Sequence, residues 1–162
     1  MKTRPARADD LDRLTEIYNH YVTTTHVTFD VQPFDVAGRR PWFERFDGDR
    51  YQCWVAEEDA LVHGYACSMP FKEKAAYQTS VEVSIYLAPE CVARGTGRRL
   101  YEVLLPELRR RDLHRAYAGI AQPNEPSMKL HQALGFTPAA RYTEVGRKFD
   151  RYWDVVWLEL KL

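Results

Sequence analysis

The chain has 162 residues, enough for one domain that buries a core without disulfide or metal staples. Lys plus Arg and Asp plus Glu number 23 each, so the formal charge is zero and nothing global steers the chain toward nucleic acid or an anionic membrane. Residues 1–10 lack the apolar run of a signal peptide, no stretch approaches about 20 apolar residues, and Cys53, Cys67 and Cys91 have no CxxC spacing, so a cytoplasmic chain with reduced thiols is expected.

Residues 3–6 can form a short first strand. Asp9 is the expected N-cap of a first helix, with Asp12 three residues on, and Leu11, Leu14, Ile17, Tyr18 and Tyr21 mark one helical face to about Val22. Residues 23–30 are β-rich and polar without a helical period and read as an exposed loop, where functional residues concentrate; Phe29 and Asp30 fall there. A second helix is expected over residues 35–46, carrying Trp42, Phe43 and Phe46, with Pro41 opening it late or kinking it. Residues 51–57 and 61–71 read as a hairpin around Glu58-Asp59-Ala60. The next strand alternates Val81, Val83, Ile85 and Leu87 on one face with Glu82, Ser84 and Tyr86 on the other, and Lys72, Lys74 and Tyr77 are placed on the strand leading into it.

Arg94-Gly95-Thr96-Gly97-Arg98 then leads into the helical period Leu100, Val103, Leu104 and Leu108, so a glycine-rich turn joins a strand to a helix over about residues 97–111. Pro106 predicts a bend in that helix, and Arg109 to Arg111 compensate its dipole. Glycines leave the amides at the helix start uncovered, and such amides form a concave anion site suited to a pyrophosphate, with Arg94 and Arg98 adding charged donors. No Gly-Lys-Ser/Thr follows and no third glycine completes a dinucleotide fingerprint. The turn by itself fits a plain strand-to-helix connection equally well.

Residues 115–121 read as a fifth strand, Asn124-Glu125-Pro126 as the start of a helix that Gly135 ends, and residues 137–147 and 152–160 as two closing strands. The order is βααβββαβαββ, a single α/β domain over residues 1–162 with a mixed sheet. Glu82 is a carboxylate in an otherwise apolar strand beside the glycine turn. It reads either as a base with a raised pKa or as a solvent-facing or structurally paired residue. His20, His26, His63 and His114 lack metal-ligand spacing, and no metal is expected.

Glu82-x-Ser84-Ile85-Tyr86-Leu87, Arg94-Gly95-Thr96-Gly97, Asn124-x-x-Ser127 and Leu130-His131-Gln132-Ala133-Leu134-Gly135-Phe136 resemble, in order, the motifs of the GNAT N-acetyltransferase superfamily. Thr28-Phe29-Asp30, Lys72-x-Lys74-Ala75-Ala76-Tyr77, Val81-Glu82, Val145-Gly146-Arg147-Lys148-Phe149 and Asp154-Val155 are similar to its phosphinothricin and methionine sulfoximine acetyltransferase branch. The resemblance implies a mostly antiparallel mixed sheet flanked by helices and splayed between strands 4 and 5, with acetyl-CoA as cosubstrate in that gap. It implies Glu82 as general base and His131 as general acid. It further implies that the Ile85, Tyr86 and Leu87 amides, Asn124 and Ser127 hold the pantetheine arm, and that Ala93, Arg94, Gly95, Thr96, Gly97 and Arg98 hold the pyrophosphate. Phe29, Asp30, Lys72, Lys74, Ala75, Ala76 and Tyr77 are implied around the substrate, flanked by Arg147 and Lys148. Val92 stands where the superfamily has Gln or Arg, and Lys74 where the phosphinothricin enzymes have Arg. A homodimer is implied, with the C-terminal strands and the hairpin over residues 51–71 as candidate contacts. The rivals are a protein N-terminal or lysine acetyltransferase and a non-catalytic acyl-CoA sensor.

Overall fold

The computed structural model describes residues 1–92 and 94–162. In chain order the elements are β1 (Lys2–Pro5), α1 (Leu11–Thr24), α2 (Val36–Phe43), β2 (Cys53–Glu58), β3 (Leu61–Pro70), β4 (Ser80–Leu87), α3 (Thr96–Arg109), β5 (Arg115–Ala121), α4 (Glu125–Ala133), β6 (Thr137–Lys148) and β7 (Arg151–Lys161). This is the expected order of strands and helices. The strands form one seven-stranded sheet in the order β1-β2-β3-β4-β5-β7-β6.

Four local expectations are corrected. α1 starts at Leu11 after a 3-10 turn over Ala8–Asp10, and Asp9 is exposed. Asp10 closes that turn, accepting the Arg7 amide at 2.7 Å and ion-pairing with Arg4 at 2.7 Å, because its buried carboxylate has cationic partners that Asp9 lacks. α1 also runs on to Thr24, where Thr23 and Thr24 turn their hydroxyls back onto helix carbonyls. Asp35 caps α2 by accepting the Gly38 amide at 2.6 Å, so Pro41 lies inside the helix and does not open it. Beyond Phe43 the Arg45 and Phe46 amides bond three residues back, and the helix gives way to a turn. Residues 71–79, expected as strand, form a loop with a 3-10 turn at Ala75–Tyr77; Pro70 ends β3, and the polar run after it has no alternating apolar face to pack on the sheet.

Each face of β4 meets a different layer. Val81 and Val83 pack with Leu100, Leu104 and Leu108 of α3 and with Ala116, Ala118 and Ile120 of β5. Full burial of each such leucine contributes about 1.5–3 kcal/mol. On the opposite face Leu14 and Ile17 of α1 pack over Val55, Tyr65 and Cys67, with Tyr86 against them.

All strand pairs are antiparallel except β4 with β5, which run parallel and pair only through Ser80, Val81 and Glu82 against Arg115, Ala116 and Tyr117. Past that point β4 stays on β3 through Leu87, while β5 stays on β7 through Ala121. Each strand follows its outer neighbour, so the two diverge and the sheet opens into a wedge, as the resemblance implied.

Candidate active site

The wedge holds a cleft of about 440 Å³. Its walls are Val83, Ile85 and Leu87 of β4 and Ala118 and Ile120 of β5; the start of α3 and one face of α4 close it. Gly95 adopts φ +76°, a left-handed conformation that lets the chain turn into α3. At Gly97 a Cβ would stand 3.1 Å from Leu130 and 3.2 Å from Ile85, so glycine lets the helix start sit directly on β4 and α4. The uncapped amides of this helix start border the cleft beside exposed Arg94 and Arg98, with Arg98 steadied by Glu102 at 2.8 Å. Thr96 is buried beneath them. Ala93 lies outside the described residues.

Glu82 occupies the last rung before the divergence, opposite Met69 on β3 and Tyr117 on β5. Its carboxyl is largely desolvated, and burial pushes its pKa up. Beyond it, Ile85, Tyr86 and Leu87 have no β5 partners, so the β5-facing edge of β4 is open along the cleft. Tyr21 of α1 donates to the Leu87 carbonyl at 2.6 Å and holds the strand end in place.

Asn124 caps α4 by accepting the Ser127 amide at 3.2 Å, and both residues line the cleft. His131 is 2% exposed. Its Nδ1 lies 2.8 Å from the Ser127 carbonyl oxygen, which can only accept, so Nδ1 carries the proton. Nε2 is then the acceptor for the Tyr101 hydroxyl at 3.0 Å. Burial pushes the imidazole pKa down and the Tyr101 phenol well up, so the resting pair is neutral at pH 7. Tyr101, which the sequence did not single out, thereby becomes a candidate site residue. Its link to His131 has no signature at any fixed spacing.

Tyr117, the β5 partner of Glu82, belongs to an aromatic cluster. Phe71 stacks on Tyr117 at 4.3 Å, with Tyr77 at 6.0 Å and Trp157 at 5.7 Å, and Lys72 Nζ lies 5.4 Å from the Phe71 and Tyr77 ring centres. Phe71, Tyr117 and Trp157 were not singled out from the sequence, where they pass for ordinary strand residues. Lys74, Ala75 and Ala76 form the exposed turn beside them, not a strand.

Phe29 and Asp30 come from the loop after α1, which is pinned rather than open. Asp30 accepts a hydrogen bond from Tyr18, whose hydroxyl also meets Thr28 Oγ1 at 2.7 Å. Lys148 is buried and donates to the Thr28 carbonyl at 2.8 Å; desolvation lowers its pKa. His26 stacks on Trp153 at 4.1 Å. Arg147 stays exposed and pairs with Asp150. No helix among the described residues is long and apolar enough to cross a membrane.

A sequence model of the acetyltransferase (GNAT) domain matches residues 4–157. The chain belongs to the GNAT acetyltransferase family. The phosphinothricin N-acetyltransferase of Streptomyces coelicolor is 50% identical over 165 residues, covering 100% of this chain and 96% of that relative. Among solved structures, YncA of Salmonella typhimurium, a putative acetyltransferase solved with acetyl-CoA, superposes with a TM-score of 0.96 at 36% identity, covering 100% of this chain and 94% of the other. A Brucella melitensis protein described as a ribosomal-protein-alanine N-acetyltransferase gives a TM-score of 0.96 at 33% identity over 100% of both chains. The wedge of this GNAT enzyme is thus the family's own architecture, built here with Tyr101 and His131 side by side.

Proposed function

We propose that this GNAT enzyme transfers acetyl from acetyl-CoA to the α-amino group of a small amino acid or amino-acid analogue, such as phosphinothricin, methionine sulfoximine or methionine sulfone. The observation that carries this reading is the position of Glu82, a desolvated carboxylate on the last paired rung of the fork. Glu82 itself does not line the cleft, which begins one residue on at Val83, while its β5 partner Tyr117 belongs to an aromatic cluster that Lys72 approaches.

The residues present fit the cosubstrate. Uncovered amides at Thr96, Gly97 and Arg98, with Arg94 beside them, suit a pyrophosphate, and the open edge of β4 over Ile85, Tyr86 and Leu87 suits an extended amide-bearing arm steadied by Asn124 and Ser127. Acetyl-CoA supplies an acyl group activated as a thioester. An α-ammonium, with an ordinary pKa of about 7.7–8.0, must lose its proton before the nitrogen can attack. Glu82 accepts that proton, and its raised pKa brings it closer to the amine than an ordinary carboxylate would be. Backbone N–H groups of β4 beyond Glu82 polarise the acyl carbonyl. The Tyr101 hydroxyl lines the cleft and would turn from His131 Nε2 to give its proton to the departing sulfur.

Lys72 and Lys74 provide cations and Phe71, Tyr77 and Tyr117 provide flat surface, a combination suited to a zwitterion with an oxyanionic or sulfoxide-like end. Lys74 offers a point charge and not a two-pronged guanidinium, so sulfoximine and sulfone are expected to compete well with phosphinate. The pinned loop over residues 25–30 supports a small substrate over an extended peptide. The Brucella neighbour supports the second reading, acetylation of a protein N-terminus. A homodimer through β6 and β7 completes the proposal, supported by the outer strand β6, which is exposed along almost its whole length.

Thiol release from acetyl-CoA, measured against methionine sulfoximine, methionine sulfone, phosphinothricin, common amino acids and Ala- or Ser-starting peptides, tests the reading. Turnover of an analogue that collapses in Glu82→Gln supports it. Turnover of peptides alone replaces it with the second reading, and tight acetyl-CoA binding without turnover points to a sensor.

A further inference from the structure

His63 lies in β3, and Cys91 closes the 3-10 turn Pro89–Cys91 that follows β4. The β3–β4 register sets Gly64 opposite Leu87, and the Ala88 amide donates to the His63 carbonyl at 2.8 Å, so this turn folds back over the histidine. His63 Nδ1 and Cys91 Sγ come to 2.9 Å, with Glu90 beside them: one ligand atom from each of the three lies within 4.8 Å of the other two. No other three His, Cys, Asp or Glu side chains meet this way among the described residues. An imidazole, a thiol and a carboxylate together form a donor set for a borderline-soft divalent ion.

We propose that His63, Glu90 and Cys91 form a zinc site with water in the fourth position. Tetrahedral zinc at about 2.3 Å from sulfur and about 2.0–2.1 Å from nitrogen separates those two atoms by about 3.5 Å, so the pair opens by about 0.6 Å on binding. Cys91 gives up its thiol proton to solvent as the Zn–S bond forms. Arg13 supplies the surrounding support. Its Nε donates to the Val62 carbonyl at 3.0 Å, next to His63, and its Nη2 to Glu90 Oε1 at 2.8 Å, which aims the carboxylate toward the histidine. Glu90 is exposed, His63 half-buried and Cys91 1% exposed, so an ion enters past the carboxylate and meets sulfur at the floor. The site is separate from acetyl transfer. It lies just before Val92 and Gly95, which border the cleft, and an ion there braces the entry to the phosphate turn.

Glu90 and Cys91 are adjacent, but His63 comes from another strand, which is why the spacing of the histidines alone predicted no metal. Cobalt is the direct probe. Titrating the reduced, untagged chain with Co²⁺ alone should give a sulfur-to-cobalt charge-transfer band and tetrahedral d–d bands that saturate at one ion per chain and vanish on adding Zn²⁺. The charge-transfer band should be lost in Cys91→Ser, and cobalt affinity should fall about tenfold or more in His63→Gln. His63 is the more exposed ligand, so His63→Gln keeps the test decisive if Cys91→Ser fails to fold. Cobalt binding without the sulfur band, a titration that does not saturate, or unchanged affinity in folded His63→Gln overturns the proposal.

Discussion

The Phe29 ring lies against Gly146 so closely that a Cβ at position 146 would stand 2.2 Å from the ring atom Cε2. Two segments remote in sequence are thereby locked: the loop that carries Asp30, and the β6–β7 hairpin that also sends Lys148 to the Thr28 carbonyl. Gly146→Ala must displace the ring or the hairpin, at a stability cost of about 1–3 kcal/mol. If this loop covers the acceptor, the variant should raise KM for the amine severalfold and leave KM for acetyl-CoA unchanged. Steady-state kinetics in each substrate, with thermal unfolding alongside, checks this; an unchanged amine KM would detach Phe29 from substrate binding.

Glu82→Gln should lower kcat by about 10²–10⁴ while acetyl-CoA binding, read by calorimetry, stays within error. In the wild type, burial raises the Glu82 pKa, so the acidic limb of kcat/KM should lie above the ordinary Glu value of 4.5 and be absent from the residual activity of the variant. Stability carries the same sign. The folded state binds this proton more tightly than the unfolded chain, so Glu82 lowers stability as pH rises from the unfolded pKa through the raised folded one. Melting curves across that window should show Glu82→Gln gaining on the wild type as pH increases.

Tyr101 and His131 predict a different pH response. Burial holds the His131 pKa below 6.5, so the folded state favours the neutral ring, and its contribution is present above the unfolded pKa and lost as pH falls below it. The wild type should lose melting temperature between pH 7 and pH 5 more steeply than His131→Asn. Tyr101→Phe leaves Nε2 without its donor, at about 1–3 kcal/mol for an unpaired buried acceptor. If the phenol also protonates the leaving sulfur, kcat should fall and the basic limb of the pH profile should move, with both KM values little changed. A kcat drop with an unmoved pH profile would restrict Tyr101 to a packing role.

Gly95 and Gly97 separate two requirements of the phosphate turn. Gly95→Ala places a side chain at φ +76°, costing about 1–2 kcal/mol, in open space where nothing clashes. Gly97→Ala keeps ordinary helical backbone but presses its methyl on Leu130 and Ile85. Both should raise KM for acetyl-CoA. Only Gly97→Ala should also lower kcat, because Ile85 belongs to the strand edge proposed to receive the acyl arm. Equal effects on kcat would show that Ile85 does not transmit the strain.

β5 was legible at residues 115–121, where it is found, because Ala116, Ala118 and Ile120 alternate along its buried face and turns bound its ends. The glycine turn and the Asn124 cap were likewise local and legible. What local pattern could not carry was register. The divergence of β4 from β5 depends on which outer neighbour each strand follows, and it came only from the motif resemblance. Residues 71–79 were misplaced because charged and aromatic residues in a loop can mimic a solvent-facing edge. Tyr101 with His131 and Phe29 with Gly146 are contacts between distant elements, and their residue types are unremarkable one at a time.

β6 is the last strand of the sheet, with its outer edge unpaired and nearly every residue exposed. Tyr142, Val145, Phe149 and Tyr152 are each at least half exposed, a density of apolar surface that a lone chain keeps at the cost of edge-to-edge association. A second copy seated there would cover that surface and stiffen the hairpin holding Phe29. Sedimentation equilibrium should give twice the chain mass at tens of micromolar, and Val145→Glu with Tyr152→Glu, both at positions more than half exposed, should return it to the monomer without loss of secondary structure. If the pair then shows raised KM for the amine but unchanged KM for acetyl-CoA, the dimer is what holds the loop over the acceptor. A wild type that sediments as a monomer removes the partner and leaves Gly146 and Lys148 as the loop's support.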